Sequence, residues 1–312
     1  MDEVPTFPNE VRPHSTNTHS RTAVVNGLRL HYLDHDGQGG PLVFLHGLSA
    51  NAHSFDEIIG AGLAPRYRAL ALDLRGRGHS DKTAPGYSLE EHASDVIAWL
   101  DELGLGDVVL VGHSFGGFLA AYIASRHPSR VRTLVLMDIS ASAPRDPRVA
   151  ELLRPSLGRL MRSWGSRDEY IAEMKTAPYL GPWWNASIER YFQTDAEAGE
   201  DGQVRSLSHL PAVAESAKDG AKLDWPDILR QVTQPTLLLY AVERFGPEGA
   251  TALVLPEDAI ATAAGIPNGR CLPVPGNHIT MLFADGALAS ASAIAAFVHG
   301  EEPTSRVDAP AQ

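Results

Sequence analysis

An α/β domain with a mainly parallel central sheet flanked by helices, interrupted by a helical insertion, is the fold class that this chain of 312 residues predicts. Three observations predict it. Short apolar runs alternate with helical patterns along most of the chain. The later runs are near-continuous in Val and Leu, as strands covered on both faces require. The alternation then lapses between about Ser142 and Gln234 and resumes afterwards.

Each element has its own signal. Residues 1–21 are rich in Pro, Ser, Thr, Asn and His and read as a disordered arm. Val24-Val25 and Leu28 to Leu33 flank Asn26-Gly27, the dipeptide favoured in a tight hairpin turn. Further strands are expected at Pro41 to Leu45, Tyr67 to Asp73, Val108 to Val111, Thr133 to Met137, Thr236 to Ala241 and Arg270 to Val274. Ser88-Leu89-Glu90-Glu91 is a capping box. After it Leu89, Ala93, Val96, Ile97, Leu100 and Leu103 recur at helical spacing until Gly104. The core therefore comprises 22–141 and 235–300, and 301–312 form a second tail. Between them, 142–234 hold four of the five tryptophans and no convincing strand, which reads as a helical cap.

Composition excludes several classes. Hydrophobic content of 44% with 21% charged residues is that of a globular chain. A net charge of −12 argues against a protein that neutralises nucleic-acid phosphates. The single cysteine, Cys271, excludes an intramolecular disulfide framework and a Cys-based zinc site. No stretch of about 18 apolar residues occurs, and no leader is visible after Met1, so a soluble, cytoplasmic protein is expected with no membrane partner. His31 and His35 are four apart, but in a strand, so they give no metal pair. Neither a Gly-rich phosphate loop nor a dinucleotide fingerprint is present, and no cofactor is expected. The oligomeric state is open, and a homo-oligomer is compatible with the sequence.

The chemistry concentrates in Gly112-His113-Ser114-Phe115-Gly116, which has the form G-x-S-x-G. Alone, a Gly-rich strand–helix turn would explain it. Its context adds weight: a buried strand precedes it, and an apolar helical stretch follows from Phe118 to Ala124. A turn this sharp needs flanking glycines and lifts the serine hydroxyl above the sheet. Other short motifs follow neighbouring strands: His46-Gly47-Leu48, Asp73-Leu74-Arg75-Gly76-Arg77-Gly78-His79-Ser80 and Gly276-Asn277-His278.

With these four motifs in this order, residues 22–299 resemble the α/β-hydrolase superfamily. The resemblance implies the α/β-hydrolase fold, with Ser114 as nucleophile, His278 as base, and the backbone N–H groups of Leu48 and Phe115 as the oxyanion hole. Histidine suits the base role because its ordinary pKa of about 6.5 lets it take and return a proton near neutrality. Asp73 and Arg75 are expected to tie a turn down. Serine at the elbow argues against the epoxide hydrolases and dehalogenases of the superfamily, which use an Asp there.

The acid departs from the commonest pattern. Many relatives place an Asp after the strand represented here by Thr236 to Ala241. Arg244 stands there instead, with Glu243 one residue early. Other relatives place the acid after the preceding strand, where this chain has Asp138. Asp138 is the favoured acid and Glu243 the alternative, with Glu248, Glu257 and Asp258 behind them. Trp183 and Trp184, beside Gly181-Pro182, are the candidate pocket aromatics. The expected function is a cofactor-free serine hydrolase acting on an ester or lactone of a mid-sized, partly apolar small molecule. Amide, thioester or carbon–carbon cleavage, or a non-catalytic ligand binder on the same fold, are the alternatives.

Overall fold

A computed structural model describes residues 17–83 and 85–303, so residues 1–16 of the expected arm and 304–312 of the tail lie outside the described residues. Asn26 and Gly27 close a hairpin between β1 (Thr18–Val25) and β2 (Leu28–His35), taking the positive φ of 51° and 75° that such a turn requires. β1 begins at Thr18, within the stretch read as arm. Its first five residues are exposed, so no alternation of apolar residues marks them as a strand.

The chain continues through β3 (Gly39–Leu45), the one-turn α1 (Asp56–Ile58), β4 (Tyr67–Leu72), α2 (Leu89–Glu102), β5 (Val108–His113), α3 (Phe115–Arg126) and β6 (Val131–Met137). α2 opens on the expected capping box, Ser88 Oγ accepting the Glu91 N–H and the Glu91 carboxylate accepting the Ser88 N–H. The insertion then supplies α4 (Pro147–Gly158), α5 (Arg167–Thr176), α6 (Ala186–Thr194), β7 (Ala196–Ala198), β8 (Val204–Ser206), α7 (Leu210–Gly220) and α8 (Trp225–Arg230). The β7–β8 ribbon corrects the expectation of an insertion without strands. Each of its strands has three residues, too few to carry a period. Trp225 packs its ring 4.5 Å from Phe118 of α3, so α8 already belongs to the layer flanking the sheet. The core resumes with β9 (Thr236–Ala241), α9 (Pro256–Ala264), β10 (Gly269–Val274) and α10 (Ala284–His299).

The main sheet has the order β1-β2-β4-β3-β5-β6-β9-β10. β2 runs antiparallel to β1 and β4, and every pair from β4 to β10 is parallel. Both faces are covered. Val109, Val111, Leu237 and Leu239 join one apolar cluster, while Val108, Leu110, Leu136 and Leu238 join the other. Fully burying each such side chain contributes roughly 1.5–3 kcal/mol. The chain reverses direction across the sheet between β3 and β5, which are hydrogen-bonded neighbours. Open α/β sheets bind ligands at the carboxyl ends of strands beside such a reversal. No helix among the described residues is long and apolar enough to cross a membrane.

Candidate active site

Ser114 sits between β5 and α3 with φ 53° and ψ −120°, a strained backbone for a residue with a side chain. The flanking glycines make the turn sterically feasible. A Cβ on Gly112 would lie 2.1 Å from the Gly116 carbonyl oxygen, and one on Gly116 would lie 2.0 Å from that of Leu45. The strain holds Ser114 Oγ over the carboxyl end of the sheet, 3.0 Å from Nε2 of His278.

The structure brings Asp138 to the other side of that imidazole. Asp138 Oδ2 lies 2.6 Å from His278 Nδ1, and Oδ1 accepts the Ala241 N–H at 2.8 Å. Asp138 also has positive φ, 52°, which turns its side chain back across the ends of the sheet. The carboxylate is 2% exposed. An acceptor at Nδ1 fixes the tautomer with the proton there and leaves Nε2 to accept the serine proton. The loop carrying His278 is equally constrained. Asn277 Oδ1 accepts the N–H groups of Ile279 and Thr280, and Asn277 Nδ2 donates to Tyr179 O at 3.0 Å.

Glu243, the alternative acid, does not meet His278. Its carboxylate accepts Trp183 Nε1–H and, at 3.3 Å, the Gly276 N–H. Trp183 and Trp184 are likewise not where the sequence reading put them, because neither lines the cavity. Trp183 turns to Glu243, with Arg244 over its ring at 5.2 Å, and Trp184 stacks on Phe192 with ring centres 5.9 Å apart. Adjacent tryptophans on a turn point in different directions: Trp183 ties the insertion to the loop after β9, and Trp184 packs within the insertion.

Leu48, Ser114 and Phe115 all border the same cavity. Phe115 is the first residue of α3, so its N–H has no acceptor within the helix. Neither amide has a hydrogen-bond acceptor among the described residues. The loop bearing Leu48 is fixed by His46, fully buried, which donates from Nδ1 to Gly47 O and accepts Leu74 N–H at Nε2. Burial pushes His46 down to about 4, so the ring is neutral and can play both parts. Asp73 takes the N–H groups of Ala52 and His79 together with His31 Nδ1. Burial alone would raise its carboxyl, but the bond from His31 and the nearby imidazoles hold it below the usual carboxylate range. Arg75 makes a two-point ion pair with the buried Asp95.

A cavity of about 310 Å³ opens above Ser114. Phe115, Phe118 and Phe245 come to it from the core, and Val149, Tyr179 and Tyr191 from the insertion. The sequence reading missed Tyr179, Tyr191 and Arg159, all of the insertion, because nothing in the spacing of a helical insertion says which face looks down. No cluster of three or more His, Cys, Asp or Glu among the described residues is arranged to hold a metal.

With fold and geometry in place, comparison with known proteins sets the class: the chain matches the alpha/beta hydrolase fold family over residues 40–285 and belongs to it. It is 29% identical over 207 residues to the 2-(acetamidomethylene)succinate hydrolase of Mesorhizobium japonicum, covering 65% of this chain and 70% of that protein. It is 39% identical over 113 residues to a non-heme chloroperoxidase of Kitasatospora aureofaciens, covering 36% of this chain and 41% of that one. The crystal structure of E-2-(acetamidomethylene)succinate hydrolase superposes with a TM-score of 0.76 at 23% identity, covering 91% of this chain and 100% of that chain. At that identity the likeness concerns the fold.

Proposed function

We propose that the protein is a serine hydrolase that opens a carboxylic ester or lactone of a mid-sized, partly apolar small molecule through an acyl-enzyme. The observation that carries this reading is the unbroken line of hydrogen bonds from Ser114 Oγ through His278 to Asp138 Oδ2. A serine hydroxyl is a weak nucleophile at neutral pH and needs a base within reach. In this reading His278 takes the proton as Oγ attacks the carbonyl carbon, and Asp138 stabilises the imidazolium. The amides of Leu48 and Phe115 receive the oxyanion, and His278 then gives the proton to the leaving alcohol. Water, deprotonated by the same imidazole, releases the acid and restores Ser114. Esters and lactones are the default because this machinery suffices for them. The part of the insertion ahead of α8 acts as the cap, and the tyrosines and aliphatic side chains it contributes to the cavity favour a partly apolar substrate.

An amide is the second reading, favoured by the 29% identity to a relative named as a 2-(acetamidomethylene)succinate hydrolase. The test is a fluorophosphonate probe followed by a panel of esters, lactones and amides graded in size. Labelling at Ser114, absent in Ser114→Ala, with turnover of esters or lactones, is the expected result. An unlabelled protein would instead be a ligand binder on this fold.

A further inference from the structure

Three consecutive carbonyls of the loop after β3 are each held by a buried side chain. Gly47 O accepts from His46 Nδ1 at 2.8 Å, Leu48 O from Arg77 Nε at 3.0 Å, and Ser49 O from Arg159 Nη2 at 2.5 Å. His46 and Arg77 belong to the core. Arg159 comes from the turn after α4, in the insertion, 110 residues from its acceptor.

Arg159 borders the cavity, but its donors are largely occupied by the protein itself. Nη1 donates to Ser156 O at 2.8 Å and Ser49 Oγ at 3.2 Å, and Nε faces Asp195 Oδ2 at 3.3 Å. Asp195 is fully buried, is also part of the insertion, and takes the Tyr170 hydroxyl at 2.5 Å on the same oxygen. A guanidinium spent on four acceptors in fixed directions is a bracket rather than an open anion receptor.

We propose that Arg159, anchored by Asp195, is a positioning residue for the oxyanion site. This rests on the serine-hydrolase reading above. Each peptide unit is rigid, so a loop can swing only about the two dihedrals between units. Successive carbonyls pinned at Gly47, Leu48 and Ser49 stop that motion on both sides of Leu48, whose N–H must point at the developing charge before it forms. The insertion thereby sets the rate of the chemical step as well as the shape of the cavity.

The experiment compares Arg159→Lys with wild type in the rate of phosphonylation of Ser114 by a fluorophosphonate, in kcat and KM for a neutral ester, and in melting temperature. Lysine keeps the charge beside Asp195, but its single nitrogen cannot span Ser49, Ser156 and Asp195 as the three nitrogens of the guanidinium do. The expected result is a melting temperature close to wild type, with phosphonylation and kcat down about 10- to 100-fold and KM little changed. If Arg159→Lys does not fold, the pair Arg159→Met and Asp195→Leu removes both charges together and is read in the same way. A folded variant phosphonylated at the wild-type rate overturns the proposal while leaving the hydrolase reading intact. So does a rise in KM confined to carboxylate-bearing esters, which would make Arg159 a substrate contact. A wild-type protein that does not react at Ser114 overturns the hydrolase reading, and the proposal with it.

Discussion

His113 donates from Nε2 to the carbonyl oxygen of His278 at 2.7 Å, so the residue before the elbow serine holds the loop that brings the imidazole to it. The two rings lie 4.8 Å apart. Burial first, and then the neighbouring His278, keep His113 well below its ordinary value, so it stays a neutral donor.

His113→Leu removes that donor and leaves a buried carbonyl unpaired. The variant is expected to lose about 1–3 kcal/mol of stability. Turnover of an ester should fall between about 10- and 100-fold as His278 loosens. Urea unfolding and steady-state kinetics check both, and unchanged kcat would mean that Asn277 alone suffices to hold the loop.

Asp138→Asn keeps the hydrogen-bonding shape but favours the wrong imidazole tautomer. A loss on the order of 10³–10⁴ in kcat is expected. Glu243→Gln, whose carboxylate meets Trp183 and Gly276 rather than His278, should lose less than about tenfold. The reverse ranking in the same assay would move the role to Glu243.

The protein should be acid-sensitive well before its carboxylates titrate. His46, His92 and His113 are held neutral by burial, His46 down to about 4. Their folded pKa values lie below the unfolded value near 6.5, so the unfolded chain binds more protons as pH falls below that value. The contribution of all three is complete above pH 6.5 and declines as pH falls below it, that of His46 until about 4. For His46 this loss amounts to roughly 3 kcal/mol. Urea midpoints at pH 7.5 and 5.0 measure it, and a midpoint independent of pH across that range would contradict the assignment.

Trp183→Phe deletes the donor to Glu243 without touching the cavity. Melting temperature should fall while the preference among acyl lengths stays as in wild type. Phe118→Ala, at the cavity wall, should shift that preference severalfold toward longer or bulkier acyl groups, since a pocket change of one methylene is already worth about 1–3 kcal/mol. Selectivity ratios measured over a graded ester series separate the two variants.

How much of this was legible beforehand depends on what kind of signal each part carries. The strand at Thr236–Ala241 reads directly, because all six residues are buried and the apolar run is unbroken. The outer half of β1 faces solvent on both sides and so shows no period, which is why its first four residues read as arm. Ser114 and His278 were legible because a glycine turn and a strand end mark them. The choice between Asp138 and Glu243 was not, since both follow strands and only the folded chain shows Asp138 meeting His278 while Glu243 meets Trp183 and Gly276. Arg159 had no local mark at all. Its partner Ser49 lies 110 residues away, and that distance closes only in the folded chain.

The order of strands has a consequence for how the molecule comes into being. The elbow serine is complete once β5 and α3 have formed, but its base hangs from β10, an edge strand whose one neighbour in the sheet is β9. A nascent chain that has yet to deliver β10 therefore carries a nucleophile with nothing to deprotonate it. The pairing of Val274 with Ala241 must also be the right one, because a slip by a single residue turns every side chain of a strand to the opposite face. Reactivity at Ser114 consequently reports the docking of the last strand, and would serve as a clock for the final stage of folding rather than its onset.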